Sequence, residues 1–405
     1  MYFFRWLTSR TVRKAAELED AVRKLLNHQR DVLAPNAVSA VEGDLSDFRK
    51  LVRGGAEAEA IRARMDVLET IANKWLKPYP HQSLRDNLVM LLEIAVLIVG
   101  SRAFLIQPMV IPTGSAQPTL WGVTYEDLRN SPTAIPSWPV RLWEKAMYGV
   151  SYFEIVAPAD LTLKGFQEKP KMFFPFVKRQ YLYTSAGPIP VWFPPDDFPR
   201  QLGMLDESQR TWKQESFRRG EVMARARLIT GDHLFVERIS YNFRRPKRGE
   251  IIVFRSERHP GMTPNTHYIK RLVGLGGERI RIGDDRHSYI NDRELTTNDF
   301  GFRDVFGFDP AVPPRPDHYS GHVNGTIWQQ TTGFPGPTRN FPNGQTEVQI
   351  RPKHYVTFGD NTMNSADSRF WPEPDFPQER VIGQHWMVFW PFIRNGRRNI
   401  GMWQE

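Results

Sequence analysis

The 405-residue chain contains no cysteine. A nucleophile here has to be Ser, Thr, Lys or a carboxylate, and disulfides and thiolate metal sites are excluded. One serine is unusually placed. The stretch Ile111-Pro112-Thr113-Gly114-Ser115-Ala116-Gln117-Pro118-Thr119-Leu120 sets Ser115 between a glycine and a small residue, with prolines on both sides. It follows directly on the most hydrophobic run of the protein, Leu88 to Ile106. Ser115 is therefore either a turn residue leaving a membrane helix or a nucleophile held at a membrane surface. The second reactive group is Lys270, in His267-Tyr268-Ile269-Lys270-Arg271-Leu272-Val273-Gly274. Strand alternation puts Tyr268 and Leu272 on its face. A lysine flanked by apolar groups loses solvation for its charge, so its pKa falls and it can accept a proton. A lysine in a strand is far more often an edge or surface charge, so a catalytic role needs support from elsewhere in the chain.

Other chemistries fail on spacing. The G-x-S-x-G elbow is absent around Ser115, because its glycine is immediately adjacent. Gly274-Leu275-Gly276-Gly277 lacks the third glycine of a dinucleotide loop, since Arg279 stands there. No H-E-x-x-H spacing occurs, and the histidines are scattered, so no His-dependent triad assembles from local signals.

The elements that must position these groups begin with helices. Residues 10 to 33 carry Val12, Leu18, Val22, Leu25 and Leu26 at helical spacing, ended by Ala34-Pro35-Asn36. Further helical patterns run from about Asp44 to Val52 and from about Glu57 to Ile71. Together they predict a small helical bundle without chemistry. Met1 to Leu7 is too short and too aromatic for a secretory signal. It suits a lipid interface, and equally a packed or disordered terminus. Lys77-Pro78-Tyr79-Pro80 is a breaker. The run from 88 to 106 is close to a hydrocarbon core in length, at ~1.5 Å rise per residue. Glu93 and Arg102 interrupt it. Arg102 can snorkel, Glu93 needs an interface or a partner, and a buried soluble helix is the competing explanation. Lys74, Lys77 and Arg85 precede the run, and the next basic residue beyond Arg102 is Arg129. Positive-inside asymmetry then puts the helices in the cytoplasm and everything after Gln107 outside. The net charge of +9 suits an anionic surface, although scattered acidic residues fit an ordinary solvated exterior as well.

Residues 121 to 228 are rich in Trp, Phe, Tyr and Pro, as in Phe173-Phe174-Pro175-Phe176 and Trp192-Phe193-Pro194-Pro195. They predict short strands and turns with no motif, either an ordinary small core or an aromatic surface touching headgroups. From Ala224 the texture is β: Arg227 to Val236 around a Gly231-Asp232 turn, Ile251 to Phe254, His267 to Gly274, Tyr355 to Phe358 and Trp386 to Trp390.

Four of these segments, in order behind a hydrophobic span, resemble the boxes of bacterial type I signal peptidases. Ile111 to Leu120 resembles the nucleophile box. Gly231-Asp232-His233-Leu234-Phe235-Val236 with Arg238 is similar to the structural strand box. Arg248 to Phe254 followed by Tyr268 to Gly274 resembles the general-base box. Gly359-Asp360-Asn361 followed by Asn364-Ser365-Ala366-Asp367-Ser368-Arg369-Phe370-Trp371 resembles the last box. The boxes cover roughly a third of the chain. The resemblance implies that Ser115 is the nucleophile and Lys270 its general base. It implies an oxyanion hole from the Thr113 hydroxyl and the Ser115 N–H. Ser365 would hold the Lys270 amine, Asp367 and Arg369 would brace that corner as an ion pair, and Ile111, Pro112, Tyr268 and Ile269 would bind substrate. Three departures stand out: Ala116 where the family has Met, Thr362-Met363 where it has Arg-Asp, and the long insertion after the nucleophile box.

The resulting expectation is a mainly β catalytic region of signal-peptidase-like fold, with an N-terminal helical region and one transmembrane helix. The divisions are helices at 1–84, the span at 85–107, the nucleophile segment at 108–122 and the insertion at 123–226. Catalytic core then follows at 227–281, a second β-rich lobe at 282–352 and the remaining core at 353–405. The implied function is a membrane-bound serine endopeptidase cutting signal peptides from secretory preproteins after small residues. It would sit single-pass in the bacterial cytoplasmic membrane with its catalytic region outside. Its partners would be preproteins, the bilayer and the translocation machinery, with no cofactor, no metal and no nucleic acid. The competing readings are a Ser–Lys self-cleaving regulatory protease and an inactive membrane-anchored scaffold.

Overall fold

Helix spacing in the first ninety residues converts directly into a bundle. The computed structural model describes residues 2–78, 81–167, 171–174, 177–195, 198–206, 211–316, 318–336 and 338–402. Tyr79 and Pro80 of the breaker, and Pro175 and Phe176 of the aromatic run, lie outside them. The chain divides into two compact units, Met1–Ile98 and Val99–Glu405. In the first, helices Arg10–Gln29, Pro35–Arg53 and Ala58–Trp75 bury one stripe each, among them Val22 and Leu26, Val41 and Phe48, and Ile61 and Leu68. The Ser9 hydroxyl accepts from the Val12 N–H at the start of the first. That helix ends at Gln29, and Pro35 opens the next rather than closing the last. Proline suits the first helical turn, where its missing N–H costs nothing.

The apolar helix runs from Gln82 to Phe104, and within it Ser83–Phe104 is long and apolar enough to cross a membrane. Its most apolar window is not buried in the protein. It stops before the expected position 107, because Arg238 takes over the backbone. The Arg238 guanidinium donates to the Ala103 carbonyl at 2.6 Å and its N–H to the Leu105 carbonyl at 3.0 Å, while Ile106 pairs with Glu237 as strand.

The second unit is mainly β. Its largest sheet is antiparallel, in the order Ile106–Val110, His233–Glu237, Val381–Trp390, Ile251–Arg255, His267–Leu275, His354–Phe358 and Phe376–Pro377. Gly401–Met402 adds to Val381–Trp390. Both faces of the sheet's centre are covered, by one cluster around Ile111, Ala116, Leu234 and Val253 and another around Ile252, Phe254, Leu272 and Trp371.

Among the described residues, 282–352 contribute the short strands Ser288–Ile290, Arg293–Glu294 and Val348–Gln349, which line up with Arg279–Ile282 in one four-stranded sheet, and the helices Arg303–Phe306 and Gly325–Thr332. Their core is shared with the main sheet, because Ile280, Phe302 and Phe341 pack with Val273, Val356 and Phe358. The segment between the nucleophile box and the strand box has a core of its own, including Leu161, Leu182, Phe198 and Met223. It comprises a three-stranded sheet (Thr124–Asp127, Val222–Ile229, Val150–Val156), a five-stranded sheet and the helix Trp138–Tyr148.

Candidate active site

The nucleophile segment is fixed from both ends. Its Ile111 N–H donates to the Asp232 carbonyl at 3.0 Å, and the Asp232 carboxylate accepts from the Trp121 N–H at 2.7 Å. Arg394 and Asn399 hold the same carboxylate at 3.1 and 3.0 Å. Between these ties, Gly114–Ala116 forms a single 3-10 turn that buries Ser115. Gly122 lies flat against this turn. A Cβ there would come within 2.1 Å of the Thr113 carbonyl carbon, so only glycine permits the approach.

Lys270 reaches the turn from the middle of its strand, where it stands opposite Ile252. Its Nζ donates to Ser115 Oγ at 2.6 Å, and both side chains are buried. Burial disfavours the ammonium and lowers its pKa to about 8, against the opposing pull of Asp367 and Asp360. The Thr113 hydroxyl donates to the same Ser115 Oγ at 3.3 Å. The Ser115 N–H has no acceptor among the described residues. A buried amine on a serine hydroxyl, with a free N–H and a hydroxyl alongside, is an arrangement that can activate an alcohol and receive an oxyanion. No histidine hydrogen-bonds to Ser115 or Lys270 among the described residues.

The last box backs this turn. The Asn361 N–H donates to the Ser115 carbonyl at 3.1 Å. Gly359 leaves room for both the Ser115 carbonyl and the Ser365 hydroxyl, which would lie 2.5 and 2.1 Å from a Cβ. Ser365 is buried here, and its Oγ makes no hydrogen bond to Lys270; its hydroxyl acts instead on the neighbouring Asp367 carboxyl, helping to lower its pKa. Asp367 and Arg369 form a fully buried pair at 2.8 Å. Burial works to raise the Asp367 pKa, yet Arg369 and the Gly359 N–H hold the carboxyl below its ordinary value. Arg369 also donates to the Thr362 hydroxyl at 2.6 Å and carbonyl at 2.9 Å, and that hydroxyl accepts from the Val323 N–H at 2.9 Å. Thr362, one of the sequence departures, thus satisfies a buried guanidinium and ties this corner to residues 320–324.

The residues expected to line substrate divide. Pro112 is exposed and Ile269 half-buried, but Ile111 is core, so its side chain is unavailable. Half-buried Tyr268 stacks on Phe254 and its hydroxyl accepts from the Thr263 N–H at 3.0 Å. Ala116 is enclosed with Ile111, Leu120 and Leu234, so the smaller side chain faces core. Arg271, Asp360 and Thr119 carry no role expected from the sequence. Arg271 and Asp360 are paired through two bonds, and the Thr119 hydroxyl donates to Asp360 at 2.6 Å. Their signal was an arginine beside Lys270 and an acid beside Asn361 in boxes already recognised.

Comparison with known proteins bears on the same segments. Residues 211–390 match a family model described as signal peptidase, peptidase S26. That span contains Lys270, Ser365, Asp367 and Arg369, whereas Ser115 lies before it. A signal peptidase I of Pseudomonas fluorescens is 30% identical over 189 residues, covering 40% of this chain and 61% of the relative. A probable signal peptidase I-2 of Synechocystis is 30% identical over 171 residues, covering 42% and 60%. The chain thus spans about three-fifths of the length of these curated relatives. A solved structure of a signal peptidase I from Enterococcus faecalis is 23% identical, covering 35% of this chain and 97% of that one, with a TM-score of 0.23.

Proposed function

We propose that this chain, a relative of the type I signal peptidases, is a membrane-bound serine endopeptidase that removes signal peptides from secreted preproteins. Ser115 is its nucleophile and Lys270 its general base. The observation that carries the reading is the 2.6 Å bond between a buried, pKa-lowered lysine and a buried serine.

In this reading the neutral Lys270 amine takes the Ser115 hydroxyl proton as Oγ adds to the scissile carbonyl carbon. The carbonyl electron pair moves onto oxygen, where the Thr113 hydroxyl and the Ser115 N–H donate to it. Collapse breaks the C–N bond, and the Lys270 ammonium protonates the departing amine. The ester on Ser115 is then attacked by water, whose proton goes to Lys270. A second collapse frees the carboxylate and returns a proton to Ser115 Oγ. Asp367, Arg369 and Ser365 shape the pocket around the amine.

The helix Ser83–Phe104 would anchor the enzyme single-pass in the cytoplasmic membrane, with the helical unit inside. Ser115 follows Phe104 by only eleven residues, which keeps the nucleophile near the bilayer, where a preprotein's Ala-x-Ala-type site emerges from the translocation machinery. The test is cleavage of a preprotein by the purified chain in detergent or lipid. Ser115→Ala and Lys270→Ala are each expected to abolish cleavage with unchanged circular dichroism. Parent-like cleavage by both variants rejects the dyad, and an inert parent on several preproteins favours a scaffold.

A further inference from the structure

We propose that the outward face of the helix Trp138–Tyr148 is a membrane-docking surface that seats in the headgroup region of an anionic bilayer. The inference rests on the reading that Ser83–Phe104 spans a membrane. It concerns a part of the chain that lies outside the matched family region 211–390.

A helix on a soluble domain turns its apolar stripe inward. This one does the reverse. None of its residues is buried. Trp138 and Leu142, four apart and so on one face, are 69% and 61% exposed, and Trp143 beside them is 60% exposed. Arg141 and Lys145 flank that face, both exposed and without a carboxylate partner among the described residues. Across a groove of about 1080 Å³, Trp192 and Phe193 are exposed as well. Tryptophans around an aliphatic centre, edged by unpaired cations, match the chemistry of the lipid interface. Arg141 and Lys145 supply the charge complementarity to anionic headgroups that selects a bilayer over a neutral apolar partner.

The helix is tied to the catalytic sheet. The Trp390 indole N–H donates to the Ala146 carbonyl at 2.8 Å, and Gly149 closes the helix in the left-handed conformation. Trp390 ends the strand that pairs with His233–Glu237, which in turn pairs with Ile106–Val110 at the exit of the apolar helix. Docking would thus fix the tilt of the catalytic sheet over the membrane, a second attachment beside the single span.

The cysteine-free sequence makes the test clean. A polarity-sensitive thiol fluorophore is placed at Leu142→Cys in the full chain. Val96→Cys serves as lipid reference and Asn298→Cys as aqueous reference. The proteins are reconstituted in phosphatidylcholine vesicles with and without phosphatidylglycerol. The Leu142 probe is expected to show blue-shifted emission, quenching by headgroup-proximal doxyl lipid and shielding from iodide, all strengthened by phosphatidylglycerol. Arg141→Gln with Lys145→Gln is expected to remove that strengthening. If the Leu142 probe behaves like Asn298 while Val96 is lipid-quenched, the docking surface is overturned and the span stands. If Val96 is not lipid-quenched, both fall. Shielding of Leu142 from iodide without lipid quenching means a protein covers the face, which also overturns the proposal.

Discussion

Arg271 meets Asp360 as a planar fork, Nε on Oδ1 at 2.8 Å and Nη2 on Oδ2 at 2.6 Å, with both side chains buried. The Thr119 hydroxyl closes the triangle, accepting from Arg271 at 3.0 Å and donating to Asp360. One residue each from the base strand, the nucleophile segment and the last box are thereby locked together. Asp360→Ala strands a buried guanidinium, and we predict a loss of about 3–5 kcal/mol in denaturant unfolding. Arg271→Lys keeps the charge but loses the fork, so an unfolding midpoint equal to the parent's would show that the geometry contributes nothing.

The lowered pKa of Lys270 sets a pH dependence with a definite sign. The neutral amine is the base, so kcat/KM should rise with pH through an apparent pKa near 8. Stability runs the same way. Between about 8 and the ordinary lysine value the unfolded chain binds the proton more readily than the folded one, so stability rises with pH across that window. Below it the burial penalty is fully present. Lys270→Met should therefore be inactive yet more stable than the parent at pH 7, by up to about 3 kcal/mol. An inactive variant that is also destabilised at pH 7 contradicts the burial account.

Thr113 offers a donor to an oxygen that becomes charged only during reaction. Thr113→Val removes that donor and preserves shape. We expect kcat to fall about 10²–10³-fold with little change in KM, and Thr113→Ser to recover most of it. A change confined to KM would assign Thr113 to substrate binding instead.

Gly122 tests the positioning of the same turn. Gly122→Ala drives a methyl into the Thr113 peptide, and displacement of the nucleophile by about 1 Å is expected to cost on the order of 10² in kcat. Gly165→Ala, where a Cβ meets nothing within 4 Å, is the control. Equal rates for the two variants would mean the turn tolerates displacement.

Much of the site was legible because its parts are local. Alternation around Lys270 and the small residues around Ser115 leave each of them ambiguous, and it is the resemblance of four short boxes that pairs them; the fold then places Lys270 Nζ 2.6 Å from Ser115 Oγ. Arg271 was missed for a physical reason. Alternation puts it on the opposite face from Lys270, and a strand pattern cannot reveal that both faces are covered. The helix Trp138–Tyr148 escaped because periodicity locates helices by the core they face, and its apolar side faces away. The strand pairing of Thr124–Asp127 with Val222–Ile229 joins segments a hundred residues apart, beyond any local signal. Ser365 is the converse case: the resemblance implied a hydroxyl bonded to the amine, whereas the side chain is present and buried without a hydrogen bond to it.

The pairing of Thr124–Asp127 with Val222–Ile229 closes the base of the long segment that follows the nucleophile turn. Thr124 stands opposite Ile229 and Asp127 opposite Ala226, so the polypeptide leaves the nucleophile turn and returns to it through one antiparallel doorway. The segment beyond the doorway has a core of its own, and it meets the catalytic sheet again where the Trp390 indole donates to the Ala146 carbonyl. Length added beyond the doorway is therefore closed off by one strand pair, and the separation of Thr124 from Ile229 along the chain does not become a separation in space.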